Sequence, residues 1–589
     1  MKTFWKYTLA TIVGSLLTFI LIFGIIFGIF GVMLSGFGEQ EVVIKDNSVL
    51  KISLKYDIPD KTSDNPFSNM DFGTFKTTKV LGLNDILKTI EKAKADDRIK
   101  GIYLDISSVP AGLATIEEIR NKLLDFKTSG KFVVTYTSVL TQKSYYLASV
   151  SDKIFLNHQG GMEWKGLYSQ VMFFKGALEK LGIEAQIFRH GQFKSAIEPF
   201  ISDKMSEANK LQTSVLLNSI WNDITKKIGE ARNITPQRLN EIADSMLVMN
   251  AESALKYGFV DSLIYYDEFL QILTEMTGND KKDEMFISIN KYSKAKVEVK
   301  KKNTSNNLIA VIFAEGDIVD GGEQEGSIGG DWMAEQIRKV RENDDIKAVV
   351  LRVNSPGGSG LASEIIWREA KLTNEKKPVV VSMGNLAASG GYYISCPASY
   401  IFALPNTITG SIGVFGLIPN FQKLMNEKLG ITYDGVGTNK YSDFGTVLRP
   451  FNENERAIIQ LQIENFYDLF ITRVADGRGL IKAQVDSIGQ GRVWSGLNAI
   501  EIGLVDQIGG INDAVRKAAE LAKLNDYRIK EYPEKQDYFQ KFLTDLSENT
   551  SEKAIKKALG ENYKLFKMLQ NIEKMTGIQA RMEYVIDIQ

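Results

Sequence analysis

Strand-like and helix-like hydrophobic patterns alternate along most of this chain. Apolar runs at 49–54 and 308–313 have the length and the Val and Ile content of buried strands, whereas 116–126 and 363–372 have the spacing of amphipathic helices. This alternation is typical of βαβ units, which build mainly parallel sheets. The pattern therefore predicts an α/β fold.

The same pattern occurs twice. Ser-Tyr-Tyr at 144–146 corresponds to Gly-Tyr-Tyr at 391–393, which lies 247 residues later (391 minus 144). Gly-Phe-Val-Asp at 258–261 corresponds to Gly-Leu-Val-Asp at 503–506, which lies 245 residues later (503 minus 258). A repeat of this length indicates two homologous domains, because the repeats of solenoid proteins are far shorter.

Matching long helices are predicted in the two copies, at 207–227 and 452–474. Residues that follow the second copy have no counterpart in the first, and part of them has an amphipathic helical pattern. The predicted organisation is a membrane-associated N-terminus at 1–47, a first repeat at 48–303, a second repeat at 304–530 and a helical C-terminal tail at 531–589.

The N-terminal region has the pattern of a transmembrane helix. From about residue 7 to residue 34 the chain carries no charge and consists mostly of Leu, Ile, Phe, Val and Gly, which is long enough to cross a bilayer. The run is too long for a cleaved signal peptide. Lys2 and Lys6 precede it and Glu39 and Glu41 follow it, so the positive-inside rule predicts a cytoplasmic N-terminus with the rest of the chain outside.

Composition excludes several function classes. The formal net charge of −1 over 589 residues argues against nucleic acid as a partner, because phosphate binding needs a basic surface. Cys396 is the one cysteine, so there is no intramolecular disulfide. His158 and His190 are the two histidines, and this small number argues against a zinc site. No metal or other cofactor is predicted, and the chain has no Walker A loop for ATP.

The candidate nucleophile is Ser389, in an apolar run at 379–393 that changes to small residues and then to an aromatic-rich segment. This order predicts a strand, a tight turn and a helix. A serine at such a turn can stand clear of its own backbone, and the Gly390 N–H lies at the start of the helix, where amides are unpaired. An ordinary glycine-rich turn is the alternative.

Comparison of the two copies favours catalysis by the second. Gln142 occupies the position of Ser389 in the first copy, and an amide side chain does not attack a carbonyl. Pro110 occupies the position of Gly357, and proline has no backbone N–H with which to stabilise an oxyanion. Both differences indicate that the first copy cannot form an acyl-enzyme.

The base that activates the serine is less clearly marked. The second copy contains no histidine, and His190 is the histidine of the first copy that lies near polar residues. A desolvated lysine can take a hydroxyl proton, and Lys194 is flanked by apolar residues whereas Lys440 has Asp443 close in sequence. A neighbouring carboxylate favours the charged amine, so the residues favour Lys194 and leave Lys440 and His190 as alternatives.

Three motifs carry a family resemblance. Asn-Ser-Pro-Gly-Gly-Ser at 354–359, Met-Gly-Asn-Leu-Ala-Ala-Ser-Gly-Gly-Tyr-Tyr at 383–393 and Thr-Gly-Ser-Ile-Gly-Val at 409–414 stand in a duplicated chain with an N-terminal membrane segment. In this combination the chain resembles the signal peptide peptidase A family in its long, duplicated bacterial form. The resemblance implies tandem ClpP/crotonase-like domains and a serine protease with a Ser/Lys dyad.

The resemblance also implies roles for individual residues. Ser389 from the second repeat is the nucleophile, and Lys194, in Phe-Lys-Ser-Ala-x-Glu-Pro-Phe at 193–200 of the first repeat, is the base. Gly357 corresponds to an oxyanion donor, and the Gly390 N–H is expected to be the second.

Ser411 corresponds to the residue whose hydroxyl holds the lysine amine in these enzymes, and a turn serine that caps a backbone N–H is its alternative. Gly358 is expected to serve the backbone shape of the turn. Short relatives carry serine and lysine in one domain, and Lys440 lies near that spacing, so it stays an alternative base.

Further expectations concern substrate and location. The resemblance implies hydrolysis of short or unfolded hydrophobic peptides, such as signal peptides left in the membrane after their release. It also implies a single-pass protein of the bacterial inner membrane, with catalytic domains on the periplasmic side, and a homotetramer.

Two other function classes are compatible with these residues. A crotonase-type acyl-CoA enzyme would use the same oxyanion geometry without Ser389. A membrane-tethered assembly protein with a decayed site would not react with a serine-directed probe.

Overall fold

The structure is a computed structural model, which describes residues 2–36, 42–63, 70–71, 76–77, 80–279, 284–297, 305–324, 326–534 and 578–582. Most of the predicted helical tail at 531–589 therefore lies outside the described residues. The short stretch at 578–582 is described, and it forms a strand in the second half of the molecule.

The N-terminal segment forms one long helix, α1 (Lys2–Gly36). Its window Thr3–Ile22 has a mean hydropathy of 1.6, and among the described helices it alone is long and apolar enough to cross a bilayer. The helix is compatible with a membrane anchor or a signal sequence. Its orientation in a membrane stays a prediction.

The first half contains one parallel sheet with strand order β8-β6-β5-β4-β1-β9. The small pair β2 and β3 is antiparallel. The strands of this half are β1 (Ser48–Ile52), β2 (Met70–Asp71), β3 (Lys76–Thr77), β4 (Ile99–Leu104), β5 (Phe132–Leu140), β6 (Lys153–Met162), β7 (Glu184–His190), β8 (Ser262–Leu263) and β9 (Phe286–Ser288). Its helices are α2 (Leu83–Ala95), α3 (Leu113–Lys127), α4 (Gln142–Ala148), α5 (Lys175–Leu181), a 3-10 turn (Ser195–Ile197), α6 (Glu198–Ile201), α7 (Glu207–Arg232), α8 (Pro236–Asp244), α9 (Ala251–Lys256), α10 (Tyr266–Thr277) and α11 (Ile289–Tyr292).

The second half repeats this plan with a sheet of order β19-β17-β15-β13-β10-β21, in which β16 also pairs with β15, and β20 with β16. Its strands are β10 (Leu308–Glu315), β11 (Asp317–Val319), β12 (Ser327–Gly329), β13 (Ile346–Ser355), β14 (Gly357–Ser359), β15 (Val379–Ala388), β16 (Tyr400–Ala403), β17 (Ile408–Gly410), β18 (Val414–Asn420), β19 (Val493–Ser495), β20 (Gln507–Ile508), β21 (Arg528–Tyr532) and β22 (Gln579–Arg581). Its helices are α12 (Gly330–Glu342), α13 (Gly360–Lys376), α14 (Gly390–Ser395), a π-helical turn (Leu424–Leu429), α15 (Glu453–Arg478), α16 (Lys482–Ile488), α17 (Gly496–Glu501) and α18 (Ile511–Leu521).

These sheets confirm the predicted α/β class. Within the second-half sheet β19 is antiparallel and the other pairings are parallel. Strand β13 is buried along most of its length, as expected for a parallel strand covered on both faces. The long helices predicted at 207–227 and 452–474 are confirmed as α7 and α15.

A third sheet joins the two halves, in the order β12-β11-β14-β22-β18-β7. Strand β7 of the first half pairs antiparallel with β18 of the second half, from Glu184 opposite Asn420 to His190 opposite Val414. Because β7 leaves its own half to join this sheet, the residues that follow β7 lie against the second half. The predicted domain boundaries stay predictions.

A buried ionic cluster also holds the halves together. The Arg352 guanidinium, from β13, is fully buried and lies 2.8 Å from Asp60 and 2.7 Å from Glu118, which both belong to the first half. It also donates to Ser382 Oγ at 2.9 Å. The Glu315 carboxylate accepts the Asp60 N–H at 3.0 Å. If all three carboxyl groups were ionised, the cluster would hold three negative charges and one buried cation.

This arrangement predicts that stability falls as the pH rises from about 4.5 to about 8. Burial, with a contribution from the Asp60 carboxylate, raises the pKa of Glu315 from 4.5 to about 8. Between those values the folded protein keeps a proton that the unfolded chain has lost, so stability falls by up to about 1.4 kcal/mol per pH unit. Glu315→Gln should remove this slope.

The measurement is the thermal unfolding midpoint of wild type and Glu315→Gln between about pH 5 and about pH 8. We expect the wild-type midpoint to fall more than that of the variant. Glu501→Gln, at an exposed glutamate of α17, is the matched control and should follow wild type. Equal slopes in all three proteins would contradict the assignment of the slope to Glu315.

Candidate active site

Ser389 lies in the turn between the end of β15 and the start of α14, as the pattern of strand, turn and helix predicts. Its backbone has φ +55° and ψ −114°, a conformation that non-glycine residues rarely adopt and that often marks a functional site. Two hydrogen bonds hold it there: its N–H donates to Gly410 O at 2.8 Å, and its carbonyl accepts the Tyr393 N–H at 2.8 Å. The side chain is fully buried.

Lys194 reaches this serine from the first half. Its Nζ lies 3.0 Å from Ser389 Oγ, 3.1 Å from Ser411 Oγ and 3.4 Å from Ser411 O. Only 1% of the lysine is exposed. The Nζ lies 5.9 Å from the centre of the Phe415 ring, whose side chain belongs to a small apolar cluster that also includes Ile197. A serine hydroxyl and a lysine amine from different halves thus meet in a water-excluded site within one chain.

The backbone of Lys194 is held against a loop of the second half. A β-carbon at Gly491 would lie 2.7 Å from the Lys194 Cα, and Gly491 has φ +80°, so glycine is required here on both grounds. The Phe193 N–H donates to Gln490 O at 2.9 Å. The Gln212 side chain, from α7, donates to Phe193 O at 3.1 Å. The sequence has no motif that marks Gly491, Gln490 or Gln212, because their contacts join distant segments.

Ser411 occupies the position that the resemblance implies for a lysine-holding residue. Its φ of +50° is again unusual for a residue with a side chain. Its N–H donates to Arg492 O at 2.7 Å, which leaves the hydroxyl directed at the Lys194 amine. A turn serine that only caps a backbone N–H would not make this contact.

The two glycines that were predicted as oxyanion donors face each other. A β-carbon at Gly357 would lie 2.5 Å from the Gly390 nitrogen, and Gly357 has φ +95°. In this structure the Gly357 N–H donates to Ser355 Oγ at 3.1 Å. The neighbouring Gly358 belongs to the hydrogen-bonded edge of β14 that faces β22.

The alternative bases lie elsewhere. His190 Nδ1 pairs with Glu464 Oε2 at 2.7 Å, and its ring stacks on Tyr467 with ring centres 3.8 Å apart. Lys440 is exposed, and its amine lies 5.2 Å from the centre of the Tyr441 ring. Neither side chain forms a hydrogen bond with Ser389.

The corresponding place in the first half is a cavity of about 540 Å³ beside Pro110 and Gln142. The Gln142 side chain accepts the N–H groups of Lys165 and Gly166 at 2.9 Å and donates to Gly166 O at 3.0 Å. Gln142 therefore closes a local loop at the position where the second half carries its serine.

Comparison with known proteins identifies relatives over most of the chain. The family model of Peptidase family S49 matches residues 125–279 and 371–525, which are 246 residues apart (371 minus 125). Protease 4 of Salmonella typhi is 40% identical over 467 residues, 78% of this chain and 74% of that protein. Protease 4 of Haemophilus influenzae is 39% identical over 448 residues, 74% and 72% of the two chains. Serine protease SPPA, chloroplastic, of Arabidopsis thaliana is 33% identical over 487 residues, 82% and 70%.

A solved structure of a ClpP1 mutant from Listeria monocytogenes aligns with 35% of this chain and 94% of its own, at 18% sequence identity and a TM-score of 0.24. A score this low does not bear on the fold. The conclusion that the chain contains two α/β domains rests on the sheet order and on the duplicated family match.

Proposed function

Because the chain belongs to peptidase family S49, whose members include serine proteases, we propose that Ser389 and Lys194 are the catalytic dyad of this serine protease. The observation that carries the proposal is the 3.0 Å separation of Lys194 Nζ and Ser389 Oγ in a buried site. In this geometry the amine can take the hydroxyl proton as the oxygen attacks a carbonyl.

The reaction proceeds through an acyl-enzyme. Ser389 Oγ bonds to the substrate carbonyl carbon while its proton passes to the neutral Lys194 amine. The tetrahedral oxyanion is held by backbone N–H groups, and the C–N bond then breaks as Lys194 returns the proton to the leaving amine. Water repeats both steps: it loses a proton to Lys194 and attacks the ester. As the ester C–O bond breaks, Lys194 returns that proton to Ser389 Oγ, and the released carboxylic acid ionises in solvent.

Ser411 and the glycines support this cycle. The Ser411 hydroxyl, 3.1 Å from Nζ, orients the amine towards Ser389. Gly390 provides one oxyanion N–H, and the Gly357-Gly358 pair provides the other. To donate to the oxyanion, the Gly357 N–H must leave Ser355 Oγ, whereas Gly358 lies in the stretch of β14 that pairs with β22.

The proposed substrates are short or unfolded hydrophobic peptides, including signal peptides after their release. The buried dyad excludes folded chains, and one relative from Enterococcus faecium carries the name putative signal peptide peptidase SppA, at 35% identity over 264 residues. We further propose that α1 anchors the enzyme in the bacterial inner membrane with its N-terminus in the cytoplasm. A homotetramer stays a prediction of the resemblance.

The test is exhaustive labelling of the full chain, in detergent, with a fluorophosphonate that acylates active serines. We expect one adduct per chain, at Ser389, because the first half has Gln142 in that position. Mass spectrometry of the denatured protein gives the stoichiometry, and peptide mapping gives the site. Two adducts per chain, or one at another residue, would rule out the assignment.

A further inference from the structure

Residues 578–582 form an extended strand that separates two strands of the third sheet. Strand β22 pairs antiparallel with β14, where Gly358 lies opposite Ala580, and with β18, where Phe415 lies opposite Gln579. In the sheet order β14 and β18 are not neighbours of each other. Removal of β22 would therefore leave a slot about two strand spacings wide, roughly 9–10 Å, which is the width that one extended peptide fills.

This slot runs past the candidate oxyanion glycines. A β-carbon at Gly357 would lie 2.1 Å from the carbonyl oxygen of Ala580, and a β-carbon at Gly390 would lie 3.0 Å from the same oxygen. The Ala580 carbonyl thus sits against the two glycines that flank the nucleophile Ser389. A substrate carbonyl whose oxyanion is held by backbone N–H groups of these glycines would lie at this place.

Backbone hydrogen bonds fix the register of the strand. The Met582 N–H donates to Pro356 O at 2.7 Å, and the Gly360 N–H donates to Ile578 O at 3.2 Å. Hydrogen-bonded pairs alternate along antiparallel strands, so the pair between them, Gly358 and Ala580, is also a hydrogen-bonded pair. The strand is consequently bound through its main chain, in the way that a peptide adds to a sheet edge.

The side chains of the strand show what the slot accepts. Ala580 is fully buried in the apolar core of the second half, so a much larger side chain would have to displace its packed neighbours. Arg581, the next residue, pairs with Asp317 of β11 at 2.8 Å. The slot therefore has a small apolar site at Ala580 and an acidic contact one residue later.

We propose that residues 578–582 occupy the peptide-binding groove of this enzyme as an intramolecular ligand, with Ala580 at the position of the residue whose carbonyl Ser389 attacks. Substrates then bind antiparallel to β14, with a small residue at that position. While the strand is bound the groove is closed to them, so the full chain restrains its own activity. The inference rests on the proposed function, because it identifies the groove by the catalytic residues beside it.

The main variant is Ala580→Trp in the full chain, in detergent. The indole does not fit the buried alanine site, so the strand should leave the groove. Arg581→Glu is a second variant, in which repulsion between the new carboxylate and Asp317 should displace the strand from the groove. Ala231→Trp, at an exposed alanine near the end of α7, is the matched control for the added indole.

Three measurements are compared. Hydrogen exchange of the Met582 and Gly360 amides should be about tenfold faster or more in both variants than in wild type and the control. If the groove is open about a tenth of the time in wild type, kcat/KM for a peptide substrate should rise about tenfold in the variants. Fluorescence anisotropy should show that a labelled peptide with the sequence of 576–584 binds the variants more tightly than wild type, and that the same peptide with Trp in place of Ala does not bind.

The outcomes separate this inference from the proposed function. If hydrogen exchange and anisotropy behave as expected but neither wild type nor the variants hydrolyse the peptide substrate, the protease proposal is contradicted and the groove assignment stands. Rapid exchange at 578–582 in wild type, or equal peptide binding by wild type and variants, would overturn the groove assignment whether or not peptides are cleaved. Faster exchange with unchanged kcat/KM would overturn self-restraint. A wild-type chain found cut between Ala580 and Arg581, with water added across that bond, would support the register.

Discussion

Replacement of Lys194 by methionine is expected to lower kcat for peptide hydrolysis by about a thousandfold. Methionine keeps the length and apolar character of the buried side chain but has no group that accepts the Ser389 proton. General acid–base catalysis contributes about 10² to 10⁴ in rate, and here one amine serves both steps of the cycle. Since the lysine lies beside Phe415 in an apolar cluster, the variant should fold as wild type does.

Lys440→Met is the matched control, because Lys440 was the other lysine among the candidate bases. It lies on an exposed loop, so its removal should leave kcat and KM unchanged. Initial rates on a fluorogenic hydrophobic peptide, with circular dichroism to verify folding, make the comparison. Loss of activity in Lys440→Met, with Lys194→Met active, would transfer the role of base to the local lysine of the second half.

The sequence predicts those parts of the site whose role can be inferred from neighbouring residues in the chain. Ser389 stands in a run of small residues after an apolar strand, and Gln142 replaces it in the other copy, so a comparison within the chain singles it out. Lys194 was favoured because apolar residues flank it, whereas Asp443 lies close to Lys440 in sequence. The α/β class followed from hydrophobic periodicity, which reports burial at each position.

The remaining features depend on contacts between distant segments. Gly491 packs against the Lys194 backbone, and Arg352 pairs with Asp60, 292 residues away, without any local pattern that marks either contact. The pairing of β22 with β14 is likewise invisible to periodicity, because three residues are too few to show a period. The Gly357 N–H illustrates the same limit: sequence indicates that a donor exists there, whereas only the structure shows it bound to Ser355.

Replacement of Ser389 by alanine should have the largest effect, a loss of about 10⁴-fold or more in kcat and complete loss of fluorophosphonate labelling. The substitution removes the one atom that forms the acyl-enzyme, and what remains is the weak catalysis that oxyanion donors and substrate binding give alone. Alanine carries the same Cβ at φ +55°, so the backbone strain is unchanged and thermal unfolding should match wild type.

Adding Gln142→Ser to Ser389→Ala should restore neither hydrolysis nor labelling. A serine at 142 would lie at the first residue of α4, beside Pro110, which has no N–H to donate to an oxyanion. Lys440, which follows Lys194 by 246 residues (440 minus 194), lies on an exposed loop. A nucleophile without a base and without that oxyanion donor does not form an acyl-enzyme. The double variant therefore tests whether the serine alone accounts for the difference in activity between the two halves. Recovery of labelling at residue 142 would show that it does, and would contradict the assignment of catalysis to the combined contributions of Lys194, Ser389 and the glycines.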